Sequence, residues 1–572
     1  MSEKLDVSRL LEKYKEWVDK EKINFLKKSS DRENISKQVE ELKNKHFSDG
    51  GRKNRGEEDW YQLHEDGTTL WRDLASCALN DIDENSKGNS KLFEFLKAAT
   101  EFEDLLYGLE PYYRDHTLHS LWVYLIGEYI IRELIPKNHK GMNWYLYNDI
   151  DHDQKKYDYP KELVKEAEEQ EKKFVGRVAK HKDAIWCIIA LCHDLGYSLE
   201  KLKNLNEKVQ AVLKFYDVPD FKHVGYSLDI EHQYILSQFL ELMAMDVRIV
   251  PSEDWEIEDL KEKLNNGDLT PDQYKKKLEQ KVLIKCYRDD STYWRLCRAL
   301  EKRQHGILSA YLIYKILDIF SDTSVRGPAE EWGLDDNEVA YNIIRGDVLF
   351  AIAQHQFDFA HLNQLSSLAD VLMLADELEE FSRYGRQLTS RRYYPTTANA
   401  ELSIKNKDEK EGKKEYLGLV ISYESKHTKR IDFLEFFWRK AKRLCETYSL
   451  DLRKQEKEEK EEEEESKKTE IFRHEDRYYY IKNIKMNVKY GDEEYYFYID
   501  KNSDISEAKL PETLIDGVEC KATTYPIRCW DDNVIVHNIE ELKDQKGTTL
   551  RDWIDGVKKL EDQKAKTPKE GS

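Results

Sequence analysis

Between about residue 59 and residue 392 the chain is written almost throughout in a helical period, and its most apolar helices each carry a histidine or an acid where a core-facing residue belongs. Apolar positions recur at three- and four-residue spacing in Leu92–Leu109, His119–Leu134, Lys182–Asp194, Ile230–Met245, Gln304–Phe320, Glu338–His355 and Leu365–Tyr384. Such a pattern requires helices packed on helices. Yet the stretch SLADVLMLADEL (367–378) holds acids inside its apolar run, and a buried carboxylate is costly without a cation partner. A chain of this kind must bring its buried polar residues to one another or to an ion.

The remaining chain sets the frame. At 572 residues it is too long for one ordinary core. Residues 1–47 read as helix, SDGGRKNRGEE (48–58) as a polar break, and 59–392 as the helical body. Two charged stretches, about 137–180 and 246–290, read as insertions or extra surface helices. After 393 the pattern turns to strands at Ala400–Ile404 and Leu417–Tyr423, an amphipathic helix over Ile431–Tyr448, and a hairpin over Tyr478–Asp500 turning at Gly491–Asp492. A further strand pair is expected near 521–537. The acidic low-complexity run 454–468 reads as a solvated loop, and 546–572 as a polar tail. The expected class is mainly α, a helical core with helical insertions, followed by a smaller α+β domain over 393–545.

Charge and cysteines narrow the partners. The net charge of −21 repels phosphate backbones and anionic lipid over most of the surface, so nucleic acid is disfavoured and a small anion in one cleft remains open. Eight cysteines form no CxxC pair, which argues for reduced thiols over structural zinc or a disulfide framework. No signal-like segment and no apolar run near 18 residues occurs; a cytoplasmic protein without a membrane partner is the expectation.

The strongest local signal is ALCHDLG (190–196), where an apolar helix ends in His193 and Asp194. A borderline nitrogen and a hard oxygen arrive together at a helix end, and Gly196 is expected to permit a tight turn. YRDHTLHSLWV (113–123) opens another helix with His119 on its core face. In the third helix Asp376 and Asp370 compete for the ligand role, with the Leu-Ala-Asp-Glu-Leu context favouring Asp376.

Together these segments resemble the HD superfamily of metal-dependent phosphohydrolases. His119 followed by Ser-Leu-Trp-Val, the His193–Asp194 doublet, and Asp376 in LADELEEFSR (374–383) stand in that superfamily's order, over roughly residues 105–390. His305 in QHGILSA (304–310) and His355 in FAIAQH (350–355) resemble the extended, binuclear form. The resemblance implies one or two divalent ions, Mn²⁺, Fe²⁺ or Mg²⁺, with Asp194 bridging and His305 and His355 holding the second. It also implies hydrolysis of a phosphate ester or anhydride of a nucleotide or similar small molecule, a deoxynucleoside triphosphate being the leading class. Arg114, Lys201, Arg383 and Arg386 are candidate phosphate cations, although Arg383 and Arg386 also suit a helix C-terminus. His232 is a candidate catalytic histidine or a structural one, Asp194 takes part in catalysis, and Glu377, Glu379 and Glu380 are candidates to orient ligands or water. A homo-oligomer is compatible with the chain. Two other functions stay open: a regulatory or interaction protein that binds nucleotide with little turnover, and an HD-type nuclease on single strands. The Glu-bearing doublet of the branch that hydrolyses cyclic dinucleotides is absent, since Gln356 and Phe357 follow His355.

Overall fold

The computed structural model describes residues 4–47, 57–84, 87–106, 112–134, 180–213, 215, 230–251, 254–279, 282–321, 331–332, 336–356, 364–365, 367–386 and 440, together with the strand segments between 393 and 535 named below. The architecture is mainly α, with a smaller sheet late in the chain.

A short strand β1 (Lys4–Leu5) precedes α1 (Val7–Asp19), which starts at Asp6; that side chain accepts from the Arg9 amide at 2.8 Å. Where one helix was expected over 1–47 there are two. The chain breaks at Glu21, whose φ of 56° is left-handed, and restarts as α2 (Ser29–His46). Buried Ile23 and Leu26 fall out of step with the face formed by Leu10, Leu11, Tyr14 and Trp17, so one straight helix could not bury both sets.

These two helices cover α3 (Glu57–Ile82) and α5 (His116–Tyr129), with α4 (Asn89–Leu106) between them in sequence. Every residue of α5 is buried, as is every residue of α6 (Lys182–Cys192) from Asp183 onward. Helices apolar on all sides belong at a core centre. At Gly127 a Cβ would fall 1.8 Å from Cζ2 of Trp186, so the glycine is what lets α5 and α6 approach.

After Gly196 come α7 (Tyr197–Glu200), α8 (Leu202–Leu213) and α9 (Ile230–Met243). The charged stretch at 246–290 is no purely helical insertion. β3 (Met245–Pro251) and β4 (Val282–Arg288) pair antiparallel, from Met245 opposite Arg288 to Pro251 opposite Val282, and enclose α10 (Asp254–Asn265) and α11 (Pro271–Glu279). Then follow α12 (Asp290–Glu301), α13 (His305–Ile316), α14 (Asp318–Ser321), β5 (Glu331–Trp332), α15 (Asp336–Gln354), β6 (Gln364–Leu365) and α16 (Leu368–Leu378). A capping box starts α16: the Asp370 carboxylate accepts from the Ser367 amide at 2.8 Å, and Ser367 Oγ accepts from the Asp370 amide at 3.2 Å. Asp370 thus completes the capping box of α16, whereas Asp376 Oδ1 lies 3.0 Å from His119 Nε2.

Strand β2 (Tyr112–Arg114) leads into α5 and pairs with β7 (Arg383–Arg386), itself paired with β8 (Tyr393–Pro395). The chain entering α5 therefore lies beside the chain leaving α16. The late sheet contains β9 (Thr397–Lys407), β10 (Tyr416–Ser425), β11 (Tyr479–Tyr490), β12 (Glu493–Asp500), β13 (Ser506–Leu510) and β14 (Thr523–Ile527), in that order, with β1 on the β9 edge and β6 on β11. The two strands of the expected hairpin, β11 and β12, pair antiparallel with Tyr490 opposite Glu493. Near 521–537 the expected strand pair is the ribbon joining Trp530–Asp531 to Val534–Ile535, and β14 in addition pairs back to β13. The stretches 137–180 and 454–468, and the helix expected over Ile431–Tyr448 apart from Lys440, lie outside the described residues.

One contiguous apolar core runs from Val7 through Trp71, Trp122 and Trp186 to Ile421 and Met486. Among the described residues no helix is long and apolar enough to cross a membrane, and Cys77, Cys187, Cys192 and Cys297 are free thiols.

Candidate metal centre

Six residues expected to gather do so. His119 comes from α5, His193 and Asp194 from the end of α6, His305 from the start of α13, His355 from the end of α15 and Asp376 from α16. His119 Nε2 lies 3.0 Å from Asp376 Oδ1, 3.4 Å from Asp194 Oδ2 and 3.3 Å from His193 Nε2. On the other side Asp194 Oδ1 lies 3.0 Å from His305 Nε2 and 3.6 Å from His355 Nε2, and these two nitrogens are 3.2 Å apart. Asp194 thus stands between two corners, each able to hold an ion by its distances.

Each imidazole is anchored through its other nitrogen. His193 Nδ1 donates to the Ala190 carbonyl at 2.8 Å and His355 Nδ1 to the Ile352 carbonyl at 2.6 Å. Carbonyls only accept, so both Nδ1 atoms carry the proton and both Nε2 lone pairs face inward. His119 Nδ1 meets Glu379 Oε2 at 2.7 Å, and His305 Nδ1 meets Glu200 Oε2 at 2.6 Å. Carboxylate- or carbonyl-anchored imidazoles of this kind are what metal-binding histidines use. Facing nitrogens near 3.3 Å, beside two carboxylates, call for a proton or a cation between them. The donor set fits a divalent ion.

The electrostatics agree. Burial pushes the Asp194 carboxyl up, but the imidazoles of His193 and His305 outweigh it and hold the group well below the usual carboxylate range. For Asp376 burial is likewise overcome by His119 and Arg114. Burial takes His193 down to about 4. His305 rises to about 9, burial being overcome by Asp194 and Glu200. His119 also rises, as Asp376 and Glu379 outweigh burial and the Arg114 charge.

The other candidates are placed differently. The Arg114 guanidinium, a candidate for substrate phosphate, reaches Asp376 Oδ1 at 3.2 Å, the Glu379 carbonyl at 2.9 Å and Glu380 Oε1 at 3.5 Å. The sequence order explains it: β2 delivers Arg114 alongside the segment that leaves α16. Lys201 Nζ sits 4.6 Å over the Tyr197 ring. Arg383 and Arg386 lie on β7 and His232 in the first turn of α9, with side chains outside the described set. His116 is buried and its ring centroid lies 3.7 Å from that of Tyr197. It walls a cavity beside Asp194 together with Thr117, Ser120, Ser198, Leu191 and Leu195. That cavity measures about 20 Å³, room for one water.

Several participants carried no signal in the sequence. Glu200 lies in a charged, surface-like stretch, and its side chain is 40% exposed despite its bond to His305. His64 bonds the buried Asp115 at 2.7 Å, and Asp115 in turn caps α5 by accepting from the Leu118 amide. Gly196 has φ −81°, open to any residue. Its requirement is space, since a Cβ would fall 2.5 Å from the His305 carbonyl oxygen.

Comparison with protein-family models, with curated proteins and with solved structures returned no match for this chain.

Proposed function

We propose that this chain is a metal-dependent phosphohydrolase of the HD type, acting on a nucleotide or similar small phosphorylated molecule, with a deoxynucleoside triphosphate as the leading candidate. The observation that carries this is the position of Asp194, one oxygen toward His119 and the other toward His305 and His355. His119, His193, Asp194 and Asp376 would hold one ion, and Asp194, His305 and His355 a second. Mixed imidazole and carboxylate donors suit Mn²⁺, Fe²⁺ or Mg²⁺. A divalent ion bound there would supply an acidified water and draw charge from phosphoryl oxygens.

The chain's own groups prepare that chemistry. Four anchored Nδ1 atoms fix the imidazole rotations before any ligand arrives. Arg114 holds the Asp376 carboxylate against His119. The water-sized cavity beside Asp194 suits the second reactant of a hydrolysis. Lys201, Arg383, Arg386 and His232 are the groups we assign to substrate. The net charge of −21 weighs against an extended polyanion as substrate.

The test is metal quantification on the wild type and on Asp194→Ala, paired with phosphate release across a panel of nucleotides. Metal in the wild type, loss of metal and turnover in the variant, and an unchanged fold are expected. A wild-type protein that neither retains divalent metal nor releases phosphate would sink the proposal. Metal retention and nucleotide binding without turnover would favour a regulatory module, and cleavage of single-stranded oligonucleotides a nuclease.

A further inference from the structure

The segment that leaves α16 is crowded with acids. Asp376, Glu377, Glu379 and Glu380 fall within five residues, and Glu379 and Glu380 are fully buried. Two cations face them. One is Arg114. The other is Lys440, which comes from beyond strands β9 and β10 and is only 5% exposed. Lys440 Nζ donates to the Glu377 carbonyl at 2.6 Å and pairs with Glu380 Oε1 at 2.7 Å. The same Glu380 oxygen lies 3.5 Å from Arg114 Nη2, while Arg114 Nη1 lies 3.2 Å from Asp376 Oδ1 and 3.3 Å from His119 Nε2. A chain of charges thus runs Lys440, Glu380, Arg114, Asp376, and ends on an expected metal ligand.

We infer that Lys440 is a positioning residue for the metal centre, acting through Glu380 and Arg114, so that the late part of the chain completes a site whose ligands all lie between 119 and 376. This rests on the metal-binding proposal above. Removing one partner of a buried ion pair leaves an uncompensated charge. Without Lys440 the Glu380 carboxylate turns to Arg114, and Arg114 is drawn away from Asp376. The corner formed by His119, His193 and Asp376 then loosens. The corner formed by His305 and His355 shares none of this chain and is unaffected.

A plainer role competes: Lys440 could serve only as a cation at the C-terminus of α16, where it bonds the Glu377 carbonyl. Glu380 separates the two roles. If Lys440 acts through Glu380, neutralising Glu380 first removes the consequence of losing Lys440; a cap is lost either way.

The experiment uses the full chain, stripped of metal with a chelator. Mn²⁺ titration calorimetry reads each ion, and an arginine-selective dicarbonyl with peptide mass spectrometry reads Arg114 in the metal-free protein. For Lys440→Met we expect one Mn²⁺ bound 10–100-fold more weakly, the other unchanged, and Arg114 labelled several-fold faster. Lys440→Arg should restore both readings. In a Glu380→Gln background, Lys440→Met should add nothing to either. Lys440→Gln, which keeps a donor for the Glu377 carbonyl, replaces Lys440→Met if the latter does not fold. Unchanged affinity and labelling in the single variant, or a loss that persists beside Glu380→Gln, would overturn the inference. If the wild type binds no Mn²⁺, the metal proposal fails by itself and the Arg114 labelling still decides the role of Lys440.

Discussion

His119 and Glu379 meet at 2.7 Å with neither side chain exposed to solvent, and the Ser382 amide and hydroxyl donate to the same carboxylate at 2.7 Å each. Glu379 thus directs the His119 proton to Nδ1 and leaves Nε2 to the centre. Truncation by Glu379→Ala should weaken one divalent ion by 10–100-fold, and Glu379→Gln, which keeps an acceptor, by less. Titration with Mn²⁺ reads both; a wild-type affinity in the alanine variant would contradict the anchoring role.

Metal uptake should release protons. In the metal-free site His305 titrates at about 9, so near pH 7 it carries a proton that an ion must displace; His119 is raised as well, its carboxylate partners outweighing burial. Protons therefore compete with metal throughout the range below about 9, and affinity should rise with pH up to that value. Calorimetry in buffers of different ionisation heats counts the protons released. A count of zero at pH 7 would refute the assignment.

A second pH dependence belongs to the core. Burial lifts Glu128 to about 7, against an ordinary 4.5, although Arg132 pairs with it. The folded state then holds a proton that the unfolded state has lost between those two values, so this group makes stability fall as pH rises from about 4.5 to 7. The swing is on the order of 3 kcal/mol. Thermal melts across that range should show the decline in the wild type and a flatter profile in Glu128→Gln.

Gly196→Ala should destabilise by about 1–3 kcal/mol, because the new Cβ meets the His305 oxygen at 2.5 Å and the Ser309 nitrogen at 2.6 Å. It should also part the His193–Asp194 end of α6 from His305. Denaturant melts and metal stoichiometry test this, and a wild-type result in both would show that the two segments separate freely.

The residues that cluster at the candidate centre were legible because each breaks the pattern around it. Asp376, His119, His305 and His355 interrupt apolar periods that predict burial, and a buried ligand-type residue without an obvious partner asks for one. Their supports were legible only in part: Glu379, a candidate by its place after Asp376, does anchor His119. Lys440 looks like any lysine on the polar side of an amphipathic stretch, and Glu200 like any surface acid; both owe their roles to tertiary placement. For Arg114 a cation beside the motifs suggests phosphate, and only the strand pairing shows that it meets Asp376. The break at Glu21 was hidden because its flanks are equally good helix formers, and the change of buried face sets it.

The opening helices are a wall of the molecule. Leu10, Leu11, Tyr14 and Trp17 lie within the same core as the helices that bear the candidate metal site, and the Tyr14 hydroxyl meets that of Tyr124 at 2.9 Å in full burial. Strand β1 adds a pairing with β9. A recombinant piece trimmed to 59–392 would bare that greasy seam to water and orphan a phenol midway along the very helix that presents His119. Dissection at the apparent sequence boundaries should therefore yield aggregates where a smaller working protein was sought.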